Sequence, residues 1–186
     1  EVFAKEQNNE EKDVSQLFDP DEINQIIMIN LDESISMVDD LDGNFIPPNS
    51  DKVSRATIAF QYISIFLSKI HERSSIQGLV SFNDEIKLEC PLTPLVNDFE
   101  DKYIKNFQPK SKPRLWDSIL FSAQEICKFR NDCSTNTDKF KNSCSRILVI
   151  SNSEDDKSVN KVEDVVSFLI QNNIIVDCIV VNKNDN

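Results

Sequence analysis

The chain has 186 residues, a formal net charge of −12, and 39% hydrophobic and 28% charged residues. This length allows one domain with its own hydrophobic core. The acidic charge argues against nucleic acids and anionic membranes as partners, because both are bound mainly through Lys and Arg. No apolar segment approaches the roughly 20 residues of a membrane helix, so we expect no membrane insertion.

Composition also argues against several classes of enzyme. The chain contains only 2 glycines, Gly43 and Gly78, which excludes a glycine-rich phosphate loop. Its single histidine, His71, falls near the end of a predicted helix and far from the other candidate residues, so we predict no serine–histidine–aspartate triad. We therefore predict that the chain is not an enzyme.

The 5 cysteines do not form a C-x-x-C motif, so no zinc site is predicted. Cys90 and Cys178 lie in apolar runs and are predicted to be buried thiols. Cys133 and Cys144 flank a polar loop, and their pairing in a disulfide stays open.

The first half of the domain follows an acidic leader, residues 1–21, which we expect to be partly disordered. The domain itself is predicted at 22–182, with a polar tail at 183–186. Residues 23–31 are apolar on both faces, which is typical of a central parallel strand. A polar, acidic loop is predicted at 32–50.

Periodicity predicts the remaining helices and strands. Apolar residues recur at spacings of three and four in the helices, whereas the strands are short apolar runs between polar turns. The predicted helices are 51–72, 97–106, 113–130 and 158–172, and the predicted strands are 76–82, 85–90, 146–151 and 174–181. The helical stripes place Val53, Val162 and Val166 in the core. This alternation predicts an α/β fold with a mostly parallel sheet, one antiparallel edge strand and helices on both faces.

Polar residues follow two of the predicted strands. Asp32, Ser34 and Ser36 come at the end of the first strand, and Asn152 follows the strand at 146–151. The carboxyl ends of parallel strands meet at one edge of a sheet, where ligands bind. Carboxylate, hydroxyl and amide oxygens are ligands for Mg²⁺ and Ca²⁺, but the same side chains also stabilise turns. Both interpretations, a metal site and a polar turn, stay open.

These segments resemble the von Willebrand factor A (vWA) family. The family has a D-x-S-x-S motif after its first strand, an L-Y-D-A-like opening of a later helix, and a T-D-G-like turn after another strand. The matching residues are Asp32, Ser34 and Ser36, then Leu115, Trp116, Asp117 and Ser118, and then Ser151, Asn152 and Ser153. The resemblance covers about 22–182 and implies a Rossmann-like vWA fold with a metal-ion-dependent adhesion site.

Two departures make that implied site degenerate. Pro113 stands at the position of the family's threonine and has no hydroxyl, and Asn152 stands at that of its second aspartate and has no charge. The resemblance therefore implies weak binding of Mg²⁺ or Ca²⁺, if any, by Asp32, Ser34, Ser36 and Asn152.

The resemblance is closest to intracellular vWA domains of protists and fungi, which often stand beside ubiquitin-pathway modules. It implies a cytoplasmic or nuclear location. The family fold continues with a further edge strand and a final helix, which this sequence does not show. If neither a further segment nor a partner covers it, we expect the strand at 174–181 to form an open, apolar edge of the sheet.

The predicted function is a non-enzymatic protein–protein interaction module. Without a tightly bound metal, the edge of the sheet is acidic, and the expected partner surface is basic or neutral. The predicted contact residues are Asp32, Glu33, Asp39, Asp40, Asp42, Glu154 and Asp155. The alternative is a Mg²⁺- or Ca²⁺-dependent adhesion-type receptor that binds a partner's carboxylate through Asp32, Ser34 and Ser36.

Overall fold

The structure is a computed structural model that describes residues 23–46, 51–70, 75–94, 107–132, 140, 143–152, 155 and 157–182. Its elements alternate between strands and helices along the chain. In order they are β1 (Gln25–Asp32), a 3₁₀ helix (Ile35–Val38), α1 (Arg55–Ile70), β2 (Ser75–Phe82), β3 (Ile86–Thr93), α2 (Leu115–Asp132), β4 (Cys144–Ser151), α3 (Val162–Gln171) and β5 (Ile174–Val180).

The five strands form one sheet in the order β3-β2-β1-β4-β5. β1 pairs in parallel with β2 and β4, β4 pairs in parallel with β5, and β2 pairs with β3 in the antiparallel direction. The predicted sheet is thus confirmed, including its one antiparallel edge. Since the chain leaves β1 for β2 on one side and returns to β4 on the other, the strand order reverses at the carboxyl ends of β1 and β4.

Two hydrophobic layers cover the two faces of the sheet. Alternate residues of a strand point to opposite faces, and β1 accordingly supplies both layers. Met28 lies in the layer with Ile126 of α2 and Val165 of α3, whereas Ile27 lies in the layer with Leu67 of α1. Helices therefore lie on both faces, as the sequence predicts.

A buried polar contact fixes α2 against the central strand. The Asn30 side chain donates to Ser118 Oγ at 3.2 Å and accepts from Ser122 Oγ at 2.6 Å. All three residues are buried, so each of these bonds satisfies a group that water does not reach. The contact holds α2 at one position along β1, and thereby places the start of α2 at the carboxyl edge of the sheet.

Two helices begin later than their periodicity predicts. α1 starts at Arg55 rather than at 51, so Val53 precedes the helix and is 48% exposed. α3 starts at Val162 rather than at 158, and both Val162 and Val166 are exposed. The prediction that these three valines lie in the core was wrong.

The edge strands also differ from their predictions. β3 extends to Thr93, with two register shifts against β2. Cys178 lies on β5, which is an edge strand of the described sheet, and is exposed, whereas Cys90 is partly buried. The prediction of a buried thiol was therefore wrong for Cys178.

Several sequence predictions lie outside the described residues. They are the leader at 1–21, the short helix at 97–106, the pairing of Cys133 with Cys144, and the tail at 183–186. Among the helices that the structure describes, none is long and apolar enough to cross a membrane.

Candidate functional site

Asp32 joins the carboxyl ends of β1 and β4. It is the last residue of β1 and is fully buried. Its Oδ1 accepts the backbone N–H of Ser34 at 2.7 Å, and its Oδ2 accepts the hydroxyl of Ser151, the last residue of β4, at 2.5 Å. The carboxylate therefore fixes both the turn after β1 and the neighbouring strand end.

A chain of side-chain oxygens runs from this turn to the loop after β4. Ser34 Oγ lies 3.0 Å from Ser36 Oγ, which donates to Asn152 Oδ1 at 3.1 Å. The turn after β1 continues into the 3₁₀ helix at Ile35–Val38. The structure thus brings together all four predicted metal-site residues, Asp32 included.

The segment before α2 completes this edge of the sheet. The Ser111 carbonyl accepts the N–H of Ile35 at 3.1 Å, and the Glu33 carbonyl accepts the N–H of Lys110 at 2.8 Å. The Lys157 ammonium donates to Ser111 Oγ at 3.0 Å. A hydroxyl thus lies in this segment despite Pro113, and a positive charge of the chain itself contacts it.

The oxygens at this edge fit a metal ion in spacing but not in charge. Neighbouring ligands of octahedral Mg²⁺ lie about 3 Å apart, because each Mg–O distance is about 2.1 Å. The spacings of 3.0 and 3.1 Å along Ser34, Ser36 and Asn152 agree with this. However, among the described residues Asp32 is the one carboxylate in this network, and they contain no group of three or more His, Cys, Asp or Glu suited to a metal ion. Such a donor set is expected to hold Mg²⁺ or Ca²⁺ weakly.

Asp117 holds the loop after β4 against the start of α2. Its Oδ1 accepts the N–H and the side-chain amide of Asn160 at 2.9 and 2.7 Å, and its Oδ2 accepts the N–H of Val159 at 2.9 Å. Arg114 Nε also donates to Oδ2 at 2.8 Å. Burial alone would raise the pKa of Asp117, but the N–H groups of Val159 and Asn160, the Asn160 amide and Arg114 together lower it below its ordinary value.

Asp155 makes the reciprocal contact from that loop. Its Oδ1 accepts the N–H of Leu115, the first residue of α2, at 2.7 Å and the Ser158 hydroxyl at 2.6 Å. Ser158 Oγ in turn accepts the N–H of Asp117 at 3.1 Å. Sequence reasoning missed the contacts of both Asp117 and Asp155. One signal for the first was present, because Asp117 is an acidic residue in the first turn of α2, where a negative charge is favourable.

The predicted acidic contact residues fall into two groups. Asp32, Glu33 and Asp40 are buried, and Asp155 is partly buried with its Oδ1 used inside the chain. Asp39 is partly buried and Asp42 is exposed, so these two are the better placed for a partner. Glu154 lies outside the described residues.

Asp40 shows how the first group is used. Its Oδ1 accepts the N–H groups of Asp42 and Asn44, and its Oδ2 pairs with Lys52 at 2.5 Å. The Lys52 hydrogen bond, and after it the Asn44 N–H, lower the pKa of Asp40 to about 2. The turn at 40–44 is thus held by an internal ion pair.

Comparison with known proteins finds distant relatives. No family model matches the chain. It is 22% identical over 139 residues to the probable bifunctional E2/E3 enzyme R795 of Acanthamoeba polyphaga mimivirus. The match covers 73% of this chain but only 10% of the mimivirus protein.

Solved structures share the fold more clearly. BatB from Bacteroides thetaiotaomicron has a TM-score of 0.62 at 14% identity, over 88% of this chain and 73% of BatB. An aerotolerance-related membrane protein from Bacteroides fragilis has a TM-score of 0.60 at 17% identity, over 87% of this chain and 70% of that one. The chain has a Rossmann-like fold of the vWA type. The PilB minor pilin from Streptococcus sanguinis is also similar, with a TM-score of 0.57 at 17% identity, over 70% of this chain and 30% of PilB.

Proposed function

We propose that this chain is a non-enzymatic protein–protein interaction module of vWA type. Its partner docks at the carboxyl edge of the sheet, around the turn after β1, and docking does not require a tightly bound metal ion. We place the protein in the cytoplasm or nucleus, in keeping with the resemblance of its sequence to intracellular vWA domains.

The observation that carries this proposal is the internal use of the polar groups at the site. Asp32 accepts hydrogen bonds on both oxygens, Ser36 donates to Asn152, and Asp117 accepts four hydrogen bonds from the chain itself. Catalysis needs a nucleophile or base that is directed at a substrate. These groups instead hold loops in place, as expected of a rigid binding surface.

The charge of this surface suggests the chemistry of the partner. Asp42 is exposed and Asp39 is partly exposed beside the site, on a chain whose net charge is −12. An acidic surface attracts basic partner surfaces and repels acidic ones. We therefore propose a partner whose contact surface is basic or neutral.

The mimivirus similarity suggests a setting for such a module. That relative is named as a probable E2/E3 enzyme, and the matched part is 10% of its length. A small interaction domain within a protein of that kind would select a partner rather than carry out the transfer step. We propose the same selecting role here.

Partner affinity, measured with charge-reversal variants, tests the proposal. The immobilised chain is used to capture a partner from an extract of its source organism, and the purified partner is then measured by calorimetry in EDTA. We expect the double variant Asp39→Lys/Asp42→Lys to bind about tenfold more weakly, or about 1.4 kcal/mol. The control is Asp132→Lys, which reverses an exposed charge at the far end of α2 and should bind as the wild type does. Unchanged affinity in the double variant contradicts the proposal.

The alternative, a Mg²⁺- or Ca²⁺-dependent adhesion-type receptor, is favoured by one observation. The oxygens of Ser34, Ser36 and Asn152 already have the spacing of neighbouring metal ligands. Under this alternative, EDTA abolishes partner binding and Ser36→Ala abolishes it in the presence of Mg²⁺. Under the leading proposal, neither change has that effect.

A further inference from the structure

A cavity of about 150 Å³ lies toward the amino ends of the strands, on the face of the sheet that α1 covers. Its lining combines apolar side chains with an ion pair and an amide: Gln25, Ile27, Phe66, Arg146, Leu148 and Asp177. An apolar cavity of about this volume has room for one aromatic ring, since an engineered cavity of about 150 Å³ binds benzene. The cavity therefore has the size of a site for a single Phe side chain.

The surface around the cavity is apolar and exposed. Tyr62 and Ile65 of α1 are 49% and 55% exposed, and they share one side of the helix with Phe66, which lines the cavity. Ile175 of β5 is also exposed, and it pairs in register with Arg146, so it lies on the same face of the sheet as the cavity. In the described part of the chain, apolar side chains of both α1 and β5 thus border the cavity and remain accessible.

The amino-terminal leader enters the domain beside this cavity. The described chain begins at Ile23, and Gln25, the first residue of β1, lines the cavity. Phe18 precedes Gln25 by a length of chain that spans up to about 24 Å when extended. Between them lies the sequence Pro20-Asp21, which is typical of a turn. A turn at this point directs Phe18 back toward the cavity.

Charge favours the same placement. Residues 13–22 combine four acidic and three apolar side chains: Asp13, Asp19, Asp21 and Glu22, and Val14, Leu17 and Phe18. Asp177 balances the charge of Arg146, which contacts its Oδ2 at 2.7 and 2.9 Å. Lys69 is exposed in the last turn of α1, one turn after Phe66, and gives this side of the helix a positive charge. An acidic segment with apolar residues complements such a surface.

We propose that the leader folds back over this surface and that the ring of Phe18 fills the cavity. The contact removes the ring from water, together with part of Tyr62 and Ile65. The ordering of the leader opposes this gain, so the contact is reversible. The inference goes beyond the proposed interaction function and does not depend on it, because the cavity lies away from the carboxyl edge where we place the partner.

Nuclear Overhauser contacts in the isotope-labelled full chain test the proposal directly. We expect contacts between the ring protons of Phe18 and the methyl protons of Ile27 and Leu148. Phe18→Ala should remove these contacts and shift both methyl resonances. The matched control is Phe3→Ala, which removes the same side chain from the same leader and should leave the two resonances unchanged.

Cleavage by chymotrypsin, which cuts after aromatic residues, gives an independent measurement. We expect cleavage after Phe18 to be about tenfold slower in the chain than in a synthetic peptide of residues 1–24, because cleavage follows the fraction of released leader. Cleavage after Phe3 should be equally fast in both. Gln25→Phe, which brings a ring to the cavity from β1 itself, should restore the peptide's rate at Phe18.

Three results would overturn the inference. They are the absence of contacts between Phe18 and the two methyl groups, equal shifts in Phe3→Ala and Phe18→Ala, and equal cleavage after Phe18 in the chain and the peptide. Contacts of the methyl groups that disappear on dilution also contradict it, because they show that a second copy of the chain fills the cavity. None of these outcomes bears on partner binding at Asp39 and Asp42.

Discussion

Asp117 shows how one side chain can organise the site without contacting a ligand. It lies in the first turn of α2 and accepts hydrogen bonds from residues about 42 positions later in the chain. Its ion pair with Arg114 is 2.7 Å long. Val159 and Asn160, which Asp117 holds, lie in the segment between Asn152 and α3. The Asp117 carboxylate therefore helps to position this segment beside the candidate site.

Replacement of Asp117 by Asn should destabilise the fold in a pH-dependent way. At pH 7 we expect a loss of about 3 kcal/mol, because Arg114 and the loop N–H groups lose a charged acceptor. The lowered pKa of Asp117 means that the unfolded chain takes up this proton first as the pH falls. The stabilisation is therefore complete above the ordinary Asp pKa of about 3.9, and it is lost as the pH falls through the lowered value. Urea unfolding from pH 7 to pH 3 measures this difference.

The control for this prediction is Asp42→Asn, which changes an exposed carboxylate. It should alter the free energy of unfolding by no more than about 0.5 kcal/mol. A loss in Asp117→Asn that equals the control at pH 7 would show that the contacts of Asp117 contribute little.

Among the elements, β5 is an edge strand of the described sheet that exposes apolar side chains. It pairs only with β4 in the described sheet, and Val180 and Ile175 are 64% and 48% exposed. An apolar strand with an unpaired edge is a template for pairing with another chain. In the described part of the chain, nothing charged interrupts this edge except Asp177, which pairs with Arg146 of β4 at 2.7 Å.

A lysine on this edge should reduce self-association. For Val180→Lys we expect a smaller oligomeric fraction at high concentration and slower aggregation on heating, because a charge on an edge strand opposes strand pairing. Light scattering coupled to size exclusion measures the first, and turbidity measures the second. The matched control is Val159→Lys, which is 80% exposed in a loop. Equal effects of the two variants would indicate general solubility rather than protection of the edge.

The elements were predictable from sequence where one periodicity dominates. β1 is apolar on both faces and α2 carries a clear apolar stripe, so both were found within about two residues of their bounds. α3 was placed too early, because residues 158–160 are held by Asp117 and not by helical hydrogen bonds. The register shifts of β3 were not predictable, since they depend on the pairing of β3 with β2.

At the scale of the whole molecule, the fold places the carboxyl ends of β1 and β4 side by side. The sequence predicted that Asp32, Ser34, Ser36 and Asn152 meet there, because they follow strands whose carboxyl ends lie at one edge of a parallel sheet. It did not predict that Lys52 pairs with Asp40 or that Lys157 contacts Ser111, because these contacts join separate loops. An acidic chain thus neutralises part of its own charge at the edge where we place the partner.

Calorimetric titration of the metal-stripped chain with Mg²⁺, and then Ca²⁺, tests the central claim most directly. With one carboxylate among the described residues of the oxygen network, we predict no binding tighter than millimolar for either ion. Ser36→Ala serves as the matched variant, because it removes a candidate ligand from the partly buried end of the network. Submillimolar binding that Ser36→Ala abolishes would contradict the account and would favour a cation-dependent receptor for an acidic partner.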